Sequence, residues 1–412
     1  MTGLLADWRY GVLLIAIFCL PVLLGDVGTA LIMVLASLVA ITATPRLFQA
    51  KFPRTPATWF FLIAFSLMAV ALTISAHGVW DARFILNFAP LLIALPLAAG
   101  EANYRPGASL THVAVISAVG SVLSLAVAGA QVFVLDELRA GGHVINAIHF
   151  ANIAVTLGFM ALIGIFTSQN RWRYLLLLGP VCAILSCVLS ASRGPLMGAI
   201  ILYIVFVAVL WFQSRRAALL SAGIGLFGAV ALLVLVSTFA APQLARLSDI
   251  ASVIVQAFAD GQTDDRSTNI RLGLFSGGWQ AFEDAIWFGH GWDRIVSATY
   301  PYLEPWLQDH LDSENFTYLH NDMLDFAVGA GIAGVIAYFA MMATPVVGVV
   351  AGPKDSAFLG RLYGGLVLSI GFFVFGLTSR LMGQGLQLTL FCMMAMVIAR
   401  YGWKENVPDH AT

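Results

Sequence analysis

The sequence has very little charge for its length. Only 10% of its 412 residues are charged and 60% are hydrophobic, whereas a soluble globular domain is about 25% charged. The scarcity excludes an ordinary soluble protein. A net charge of −1 also excludes a bulk field that would attract nucleic acid or an acidic partner. The apolar runs are long and continuous rather than alternating, which excludes a membrane β-barrel.

Cysteine is scarce as well. The four cysteines, Cys19, Cys182, Cys187 and Cys392, fall in apolar stretches without zinc-ligand spacing, so we expect buried inert thiols and neither a metal site nor a disulfide framework. The first apolar run lacks a small-residue cleavage site, which favours a retained first helix over a signal peptide.

Long apolar runs fill the rest of the chain. Because a membrane span needs about 20 apolar residues, the sequence predicts an all-α, polytopic integral membrane protein that forms one domain over residues 1–412. About twelve spans are predicted, at 9–25, 27–44, 57–76, 82–100, 109–134, 143–168, 173–191, 194–213, 217–240, 317–350, 357–378 and 383–401. The tenth is long enough to bend or to project from the bilayer.

Loop charges predict the orientation. Basic residues concentrate in alternate loops, which by the positive-inside rule face the cytoplasm: Arg46/Lys51/Arg54, Arg105, Arg171/Arg173, Arg215/Arg216, Lys354/Arg361 and Arg400/Lys404. Both termini are then cytoplasmic. The opposite, outer side receives Asp26, 77–83, 136–143, Ser192–Arg193, the polar segment 241–316, and Arg380.

All three lysines lie on the predicted inner side, and every outer cation is arginine: Arg83, Arg139, Arg193, Arg246, Arg266, Arg271, Arg294 and Arg380. Because a guanidinium grips phosphate at two points, the pattern favours a phosphate site on the outer face. Chance and the positive-inside bias are competing explanations, so the pattern serves only as support.

The polar segment 241–316 is the one large interruption between spans. It predicts an amphipathic helix over Arg246–Phe258 and a second helix over Asn269–Trp287. In the second helix Arg271, Phe275, Gly278/Trp279 and Phe282 share a face, and Gly277-Gly278 suggests close packing. Asp264-Asp265 indicates a helix cap or, alternatively, a divalent-cation site.

The end of this segment leads into the next span. Residues 309–314 are acidic and predict a solvated loop. A helix that starts near Phe316 would put His320, Leu324 and Ala327 on one face. The run from Gly329 to Gly334 is rich in small residues that let helices approach closely.

Three motifs in order carry a resemblance: Ser192-Arg193-Gly194, then Arg271…Trp279…Phe288-Gly289-His290-Gly291, then His320-Asn321-Asp322-Met323-Leu324…Gly331-Ile332-Ala333-Gly334. Together with the span pattern they resemble the O-antigen ligase/polymerase superfamily of bacterial inner-membrane glycosyltransferases. One departure is that the family often has a proline before the Gly-x-Gly turn, where this chain has Trp287-Phe288.

The resemblance implies a C-type glycosyltransferase fold without metal or nucleotide cofactor. It implies a glycan donor on undecaprenyl diphosphate and, for a ligase in lipopolysaccharide biosynthesis, a sugar hydroxyl of lipid A–core as acceptor. It also implies catalytic roles for Arg193, Arg271 and His320, with the site facing the periplasm.

These residues suit the chemistry. A neutral histidine is a competent general base, and arginines stabilise a departing diphosphate, so we expect a single inverting displacement. Candidate substrate-binding residues are Arg83, Arg139, Asn321 and Arg380. The alternatives remain an anchoring role for His320, snorkelling for Arg193 and a surface ion pair for Arg271. Asn87, Asn146, His149 and Asn152 either line a cavity or pair within the helix bundle.

Other functions stay open at this point. An O-antigen polymerase would use the same donor, although the single large outer loop favours a ligase. A protein glycosyltransferase of the same class usually has extra soluble sequence after the last span. A secondary transporter or lipid flippase would place ionisable residues near the bilayer midplane and use broken helices.

Overall fold

The structure is a computed structural model that describes residues 8–49, 56–93, 110–141, 145–238, 265–352 and 354–400. Every regular element within these ranges is helical, which confirms the all-α fold. The α-helices are α1 (Trp8–Gln49), α2 (Pro56–Ile74), α3 (Leu110–Phe133), α4 (Ala147–Ala161), α5 (Ile163–Thr167), α6 (Leu178–Leu189), α7 (Arg193–Gln213), α8 (Arg215–Thr238), α9 (Arg266–Asp284), α10 (Pro305–Ser313), α11 (Asp322–Val350), α12 (Phe358–Gly376) and α13 (Gly385–Arg400). Shorter 3₁₀ helices lie at Val79–Phe88, Arg171–Leu177 and Ser297–Tyr302.

Eight helical stretches in the described residues are long and apolar enough to cross a membrane, so the protein is a multi-pass membrane protein. A bilayer core offers the backbone no hydrogen-bond partners, and a helix satisfies its own. The stretch Ala147–Thr167 is almost wholly buried and forms the centre of the bundle. The count of twelve spans stays a prediction.

Two helices contain a sharp break at glycine. Gly25 in α1 has φ 57° and ψ −129°, and Gly331 in α11 has φ 66° and ψ −154°. A Cβ built on Gly28 would lie 2.3 Å from the Leu20 carbonyl oxygen, and one on Gly334 would lie 2.3 Å from that of Phe326. Residues eight apart in a straight helix are about 12 Å apart, so the chain folds back at both breaks. The first predicted boundary, between 25 and 27, coincides with the Gly25 break, and the tenth span bends.

The region of the fourth predicted span differs from the prediction. Residues Val79–Phe88 form a 3₁₀ helix rather than an α-helix. Pro90 has no N–H to donate to the carbonyl of Leu86. The N–H of Ala89 donates to that carbonyl instead, at 3.1 Å. Residues 94–100 lie outside the described residues.

The polar segment is partly described. The second predicted helix is present as α9, three residues earlier than predicted at each end. The prediction of a solvated loop at 309–314 is wrong, because residues up to Ser313 belong to α10. That helix begins with Pro305 at its first turn and buries Leu307 and Leu311 one turn apart. The predicted Arg246–Phe258 helix and Asp264 lie outside the described residues.

Candidate functional site

His320 lies just before a helix and not within it. Helix α11 begins at Asp322, and the Asn321 side chain caps it by accepting a hydrogen bond from the Leu324 N–H at 3.1 Å. The predicted face of His320, Leu324 and Ala327 on one helix is therefore wrong. His320 adopts a left-handed conformation with φ 58°, which is uncommon for a residue with a Cβ.

Buried carboxylates hold the chain around this conformation. The Asp325 Oδ1 accepts a hydrogen bond from the N–H of Leu319 at 2.8 Å. The Asp322 carboxylate accepts hydrogen bonds from the N–H groups of Leu381 and Met382 at 2.9–3.1 Å. Both carboxylates are fully buried, so they fix the residues on either side of His320 and join them to the chain after α12.

A pocket of about 430 Å³ opens beside His320. It is lined by Arg266, Ser267, Ile270, Arg271, His310, Phe316 and His320. The rings of Tyr318 and Phe316 lie with their centres 4.5 and 5.4 Å from that of His320. The structure thus brings together two of the three residues for which the sequence predicts a catalytic role, His320 and Arg271.

Arg271 reaches the pocket from α9. The buried face of this helix is Ile270, Leu274, Gly277/Gly278 and Ala281, one position earlier than the predicted face. Close packing explains the glycines: a Cβ on Gly277 would lie 2.6 Å from the Leu303 side chain, and one on Gly278 would lie 2.7 Å from that of Leu324. Arg271 lies at the edge of this face, next to the pocket.

The electrostatics keep the imidazole neutral. Burial, the positive charge of Arg271 and, third, His149 lower the pKa of His320 to about 4. Burial also lowers the pKa of Arg271, while nearby Asp265 acts in the opposite direction; an arginine stays charged at neutral pH. A neutral base therefore stands next to a fixed cation.

Arg193 stands beside this pair without lining the pocket. It is the first residue of α7, as its place in the Ser-Arg-Gly motif predicts. Its Nη1 lies 3.2 Å from the Asp265 Oδ2, and Asp265 is close enough to Arg271 to act on its charge. Asp265 is thus the carboxylate between the two arginines.

Of the four candidate substrate-binding residues, Arg139 supports the Ser-Arg-Gly motif. Its Nε donates to the Ser190 carbonyl at 2.9 Å, and its Nη2 lies 3.3 Å from the Ser192 hydroxyl. The Cys187 thiol donates to the Ser192 carbonyl at 3.3 Å. Together these contacts hold the backbone that presents Arg193.

Arg380 is buried beneath the His320 segment. Its Nη1 donates to the Thr317 carbonyl at 3.2 Å, and its Nε lies 3.7 Å from the Asp325 Oδ2. The guanidinium carbon is 4.9 Å from the ring centre of Trp292 and 5.7 Å from that of Tyr318. Its contacts are therefore with the protein's own backbone, carboxylate and rings.

Arg83 is the predicted residue that stands apart. It is exposed, and its guanidinium carbon lies 5.0 Å from the ring centre of Phe84 in its own helix. Among the described residues no contact joins it to the other candidates. In Asn321, the fourth candidate, the side-chain oxygen accepts the capping hydrogen bond from the Leu324 N–H.

The Gly289–Gly291 turn fits into the break in α11. The N–H of His290 donates to the Val328 carbonyl at 2.8 Å, and the N–H of Ile332 donates to that of Ile286 at 2.6 Å. A Cβ on Gly289 would lie 2.5 Å from the Ala330 nitrogen. The small residues of α11 thus admit a loop backbone, whereas the sequence predicted approach by another helix.

The sequence left two alternatives open for His149, lining a cavity or pairing within the bundle. His149 is close enough to His320 to lower its pKa, and it hydrogen-bonds to the backbone of Arg380. The spacing Asn321-Asp322-x-x-Asp325 was a usable signal, because an asparagine followed by acidic residues marks a helix start. In the described part of the chain, no three His, Cys, Asp or Glu side chains cluster as metal ligands would.

A comparison with known families matches this region. The family model for O-antigen ligase matches residues 178–339, a segment that contains Arg193, Arg271, His320 and Asn321, and no curated protein matches the chain. The family match confirms the resemblance to the O-antigen ligase superfamily that the motifs indicated. Arg83, Arg139 and Arg380 lie outside the matched segment.

Proposed function

We propose that the protein transfers O-antigen polysaccharide from undecaprenyl diphosphate to a sugar hydroxyl of lipid A–core. The match of residues 178–339 to the family model for O-antigen ligase supports this proposal. The observation that carries the proposal is the pocket in which a neutral imidazole, His320, lies beside the guanidinium of Arg271. In this proposal the protein lies in the bacterial inner membrane with both termini in the cytoplasm and the pocket open to the periplasm.

His320 acts as the general base. The acceptor hydroxyl attacks the anomeric carbon of the donor sugar and gives its proton to the imidazole. The bond between that carbon and the diphosphate oxygen breaks, and its electron pair leaves with the diphosphate. A base positioned in this way increases the reaction rate by about 10²–10⁴-fold. Because the reaction is one in-line displacement, it inverts the anomeric configuration.

The low pKa of His320 fits this role when the donor is bound. In the free chain, burial and Arg271 keep the imidazole neutral, so it is ready to accept a proton at any physiological pH. A bound diphosphate brings negative charge next to Arg271 and so offsets the lowering of the His320 pKa by this arginine. The pKa of His320 then rises toward neutrality, where a general base is most effective.

Arg271 and Arg193 stabilise the diphosphate as it leaves. Their positive charges are fixed before the reaction, so they stabilise developing negative charge without rearrangement. In the proposed step these two arginines, and no metal ion, stabilise the leaving group. Asp265 now holds Arg193 at 3.2 Å, and the donor diphosphate would compete with this carboxylate for the same guanidinium.

A specific observation also favours a second candidate function, transport. The breaks at Gly25 and Gly331 are of the kind that transporters use to expose backbone groups to a substrate. At Gly331, however, the Gly289–Gly291 turn fits into the break, and the buried Asp322 and Asp325 side chains bind backbone N–H groups. These groups therefore hold the chain together and are not left open to a substrate.

The polymerase alternative has the same donor and the same pocket, so an experiment must compare the products of the two reactions.

The test is complementation of a ligase-deficient strain that still makes O-antigen. We expect the native chain to restore lipopolysaccharide ladders on gels and His320→Ala to abolish them. His77 is an exposed histidine of the Ser75–Gly78 loop, so His77→Ala serves as the matched control and should restore the ladders fully. Ladders that change only in length distribution would indicate a polymerase, and no effect on either property would favour transport.

A further inference from the structure

One wall of the pocket has no part in the proposed reaction. Arg266, Ser267 and His310 line it together with His320 and Arg271. Phe316 is next to both imidazoles: its ring centre lies 5.8 Å from that of His310 and 5.4 Å from that of His320. None of the seven lining residues carries a carboxylate. The pocket therefore has a second group of cationic and hydrogen-bonding side chains besides His320 and Arg271, and the Phe316 ring is next to a member of each group.

This wall offers hydrogen-bond donors. The Arg266 Nη2 lies 3.3 Å from the His310 Nδ1. Because a guanidinium has no acceptor, the Nδ1 must accept this hydrogen bond, and the proton of a neutral imidazole then resides on Nε2. The pair is left with N–H groups of Arg266 and the Nε2–H of His310, and Ser267 adds a hydroxyl. Such a set complements an oxyanion.

The start of α9 adds to the positive potential. Arg266 and Ser267 are its first two residues, and no acidic side chain lies in its first turn. Asp265 is the N-cap residue but makes no side-chain hydrogen bond to a helix N–H. Its negative charge is paired with Arg193 at 3.2 Å, and its carboxylate also accepts a hydrogen bond from the Thr268 hydroxyl at 2.6 Å. The positive end of a 19-residue helix dipole thus lies at the same wall, where it favours an anion.

We propose that Arg266, Ser267 and His310 bind a phosphate group carried by the acceptor saccharide. The inference rests on the proposed function and names the class of acceptor, a phosphorylated sugar. An in-line displacement puts the acceptor and the leaving diphosphate on opposite sides of the anomeric carbon. The acceptor gives its proton to His320, so it lies beside that imidazole. Phe316 is next to both His320 and His310, so an acceptor ring that rests on Phe316 can bring a phosphate group to the donors around His310.

The experiment uses the detergent-solubilised full chain, the undecaprenyl-diphosphate-linked donor, and lipid A–core either intact or treated with phosphatase. For Arg266→Gln we expect the KM for the intact acceptor to rise about tenfold, the effect of losing one charged hydrogen bond. The donor KM and kcat should not change. With phosphatase-treated acceptor, the native chain and the variant should have the same KM.

Arg294→Gln is the matched control, because Arg294 is an exposed arginine of the same polar segment outside the pocket. It should leave all three constants unchanged. A second variant, His310→Ala, should raise the KM for the intact acceptor in the same direction. An increase in donor KM with Arg266→Gln would assign the wall to the donor's phosphates and overturn the acceptor assignment. An equal effect on both acceptors would overturn the phosphate assignment.

Equilibrium binding of lipid A–core without donor separates the two proposals. If the native chain binds the intact acceptor more tightly than the phosphatase-treated one but transfers no glycan, the proposed reaction fails and the phosphate subsite stands. If glycan is transferred and the two acceptors bind equally, the reaction stands and the subsite fails.

Discussion

At the residue scale, the conformation of His320 matters as much as its identity. A left-handed residue with a Cβ costs about 1–3 kcal/mol and persists only where the surroundings enforce it. Asp325 fixes Leu319 on one side, and the Asn321 cap fixes the start of α11 on the other. The imidazole is therefore held in place before substrate arrives, as a preorganised base requires.

The pKa of His320 leads to a prediction about pH dependence. Because the pKa in the free chain is about 4, kcat/KM should not depend on protonation of His320 near neutral pH and should fall only as the pH approaches 4. Arg271→Gln removes a neighbouring positive charge, so the pKa should rise toward its ordinary value of 6.5. The acid limb should then move to higher pH, in addition to an overall loss of activity.

The measurement is the pH–rate profile of kcat/KM, which reports the ionisation of the free enzyme. Arg294→Gln is the control, since its guanidinium is exposed and outside the pocket; its acid limb should coincide with that of the native chain. An acid limb that stays in place in Arg271→Gln would show that Arg271 does not act on the catalytic base.

At the element scale, the contact between the Gly289–Gly291 turn and the break in α11 positions the site. The turn leads from α9, which carries Arg271, and the half-helix before the break begins just after His320. Backbone hydrogen bonds from His290 to Val328 and from Ile332 to Ile286 join the two segments. Two residues distant in sequence are thereby held at one pocket.

Gly331→Ala tests this contact. A Cβ at this position would lie 2.4 Å from the Trp287 carbonyl carbon, and the φ of 66° is unfavourable for alanine. The backbone strain alone should cost about 1–3 kcal/mol, so thermal unfolding in detergent should occur several degrees lower. Gly223→Ala is the matched control: nothing lies within 4 Å of its Cβ, and alanine in a helix is no worse than glycine. Equal melting temperatures for the two variants would contradict the contact.

At the scale of the whole molecule, the loops sort onto two ends of the bundle. Three arginines predicted on the outer side contact other segments: Arg139 contacts Ser190, Arg193 contacts Asp265, and Arg380 contacts Thr317. At the other end, the Thr111 and Thr167 hydroxyls lie 3.1 Å apart, and a Cβ on Gly360 would lie 2.6 Å from Thr167. Which of these ends faces the cytoplasm stays a prediction of the positive-inside rule.

Cysteine labelling tests which end faces outward. We expect Ser297→Cys, on the polar segment, to react with a membrane-impermeant maleimide in intact spheroplasts. Lys354→Cys should react only after the membrane is permeabilised. The unsubstituted chain is the control, because its native thiols are buried or half-buried. The opposite labelling pattern would invert the orientation and place the pocket in the cytoplasm.

The sequence by itself determined the helical membrane class and the order of the motifs. Hydrophobicity over about 20 residues is a local property, and so is the bias of lysine and arginine toward one side. The Ser-Arg-Gly arginine at the start of a helix and the two glycines packed inside α9 were likewise readable from local pattern.

Only the tertiary structure decided what surrounds each of these residues. The left-handed His320, the position of Asp265 between two arginines and the burial of Arg380 depend on segments far apart in the chain. The helical conformation of residues 309–313 is a feature of the same kind, because their helix buries Leu307 and Leu311, and Leu307 packs against Gly273 of α9. Long-range packing and electrostatics set these features, and neither leaves a periodic trace in the sequence.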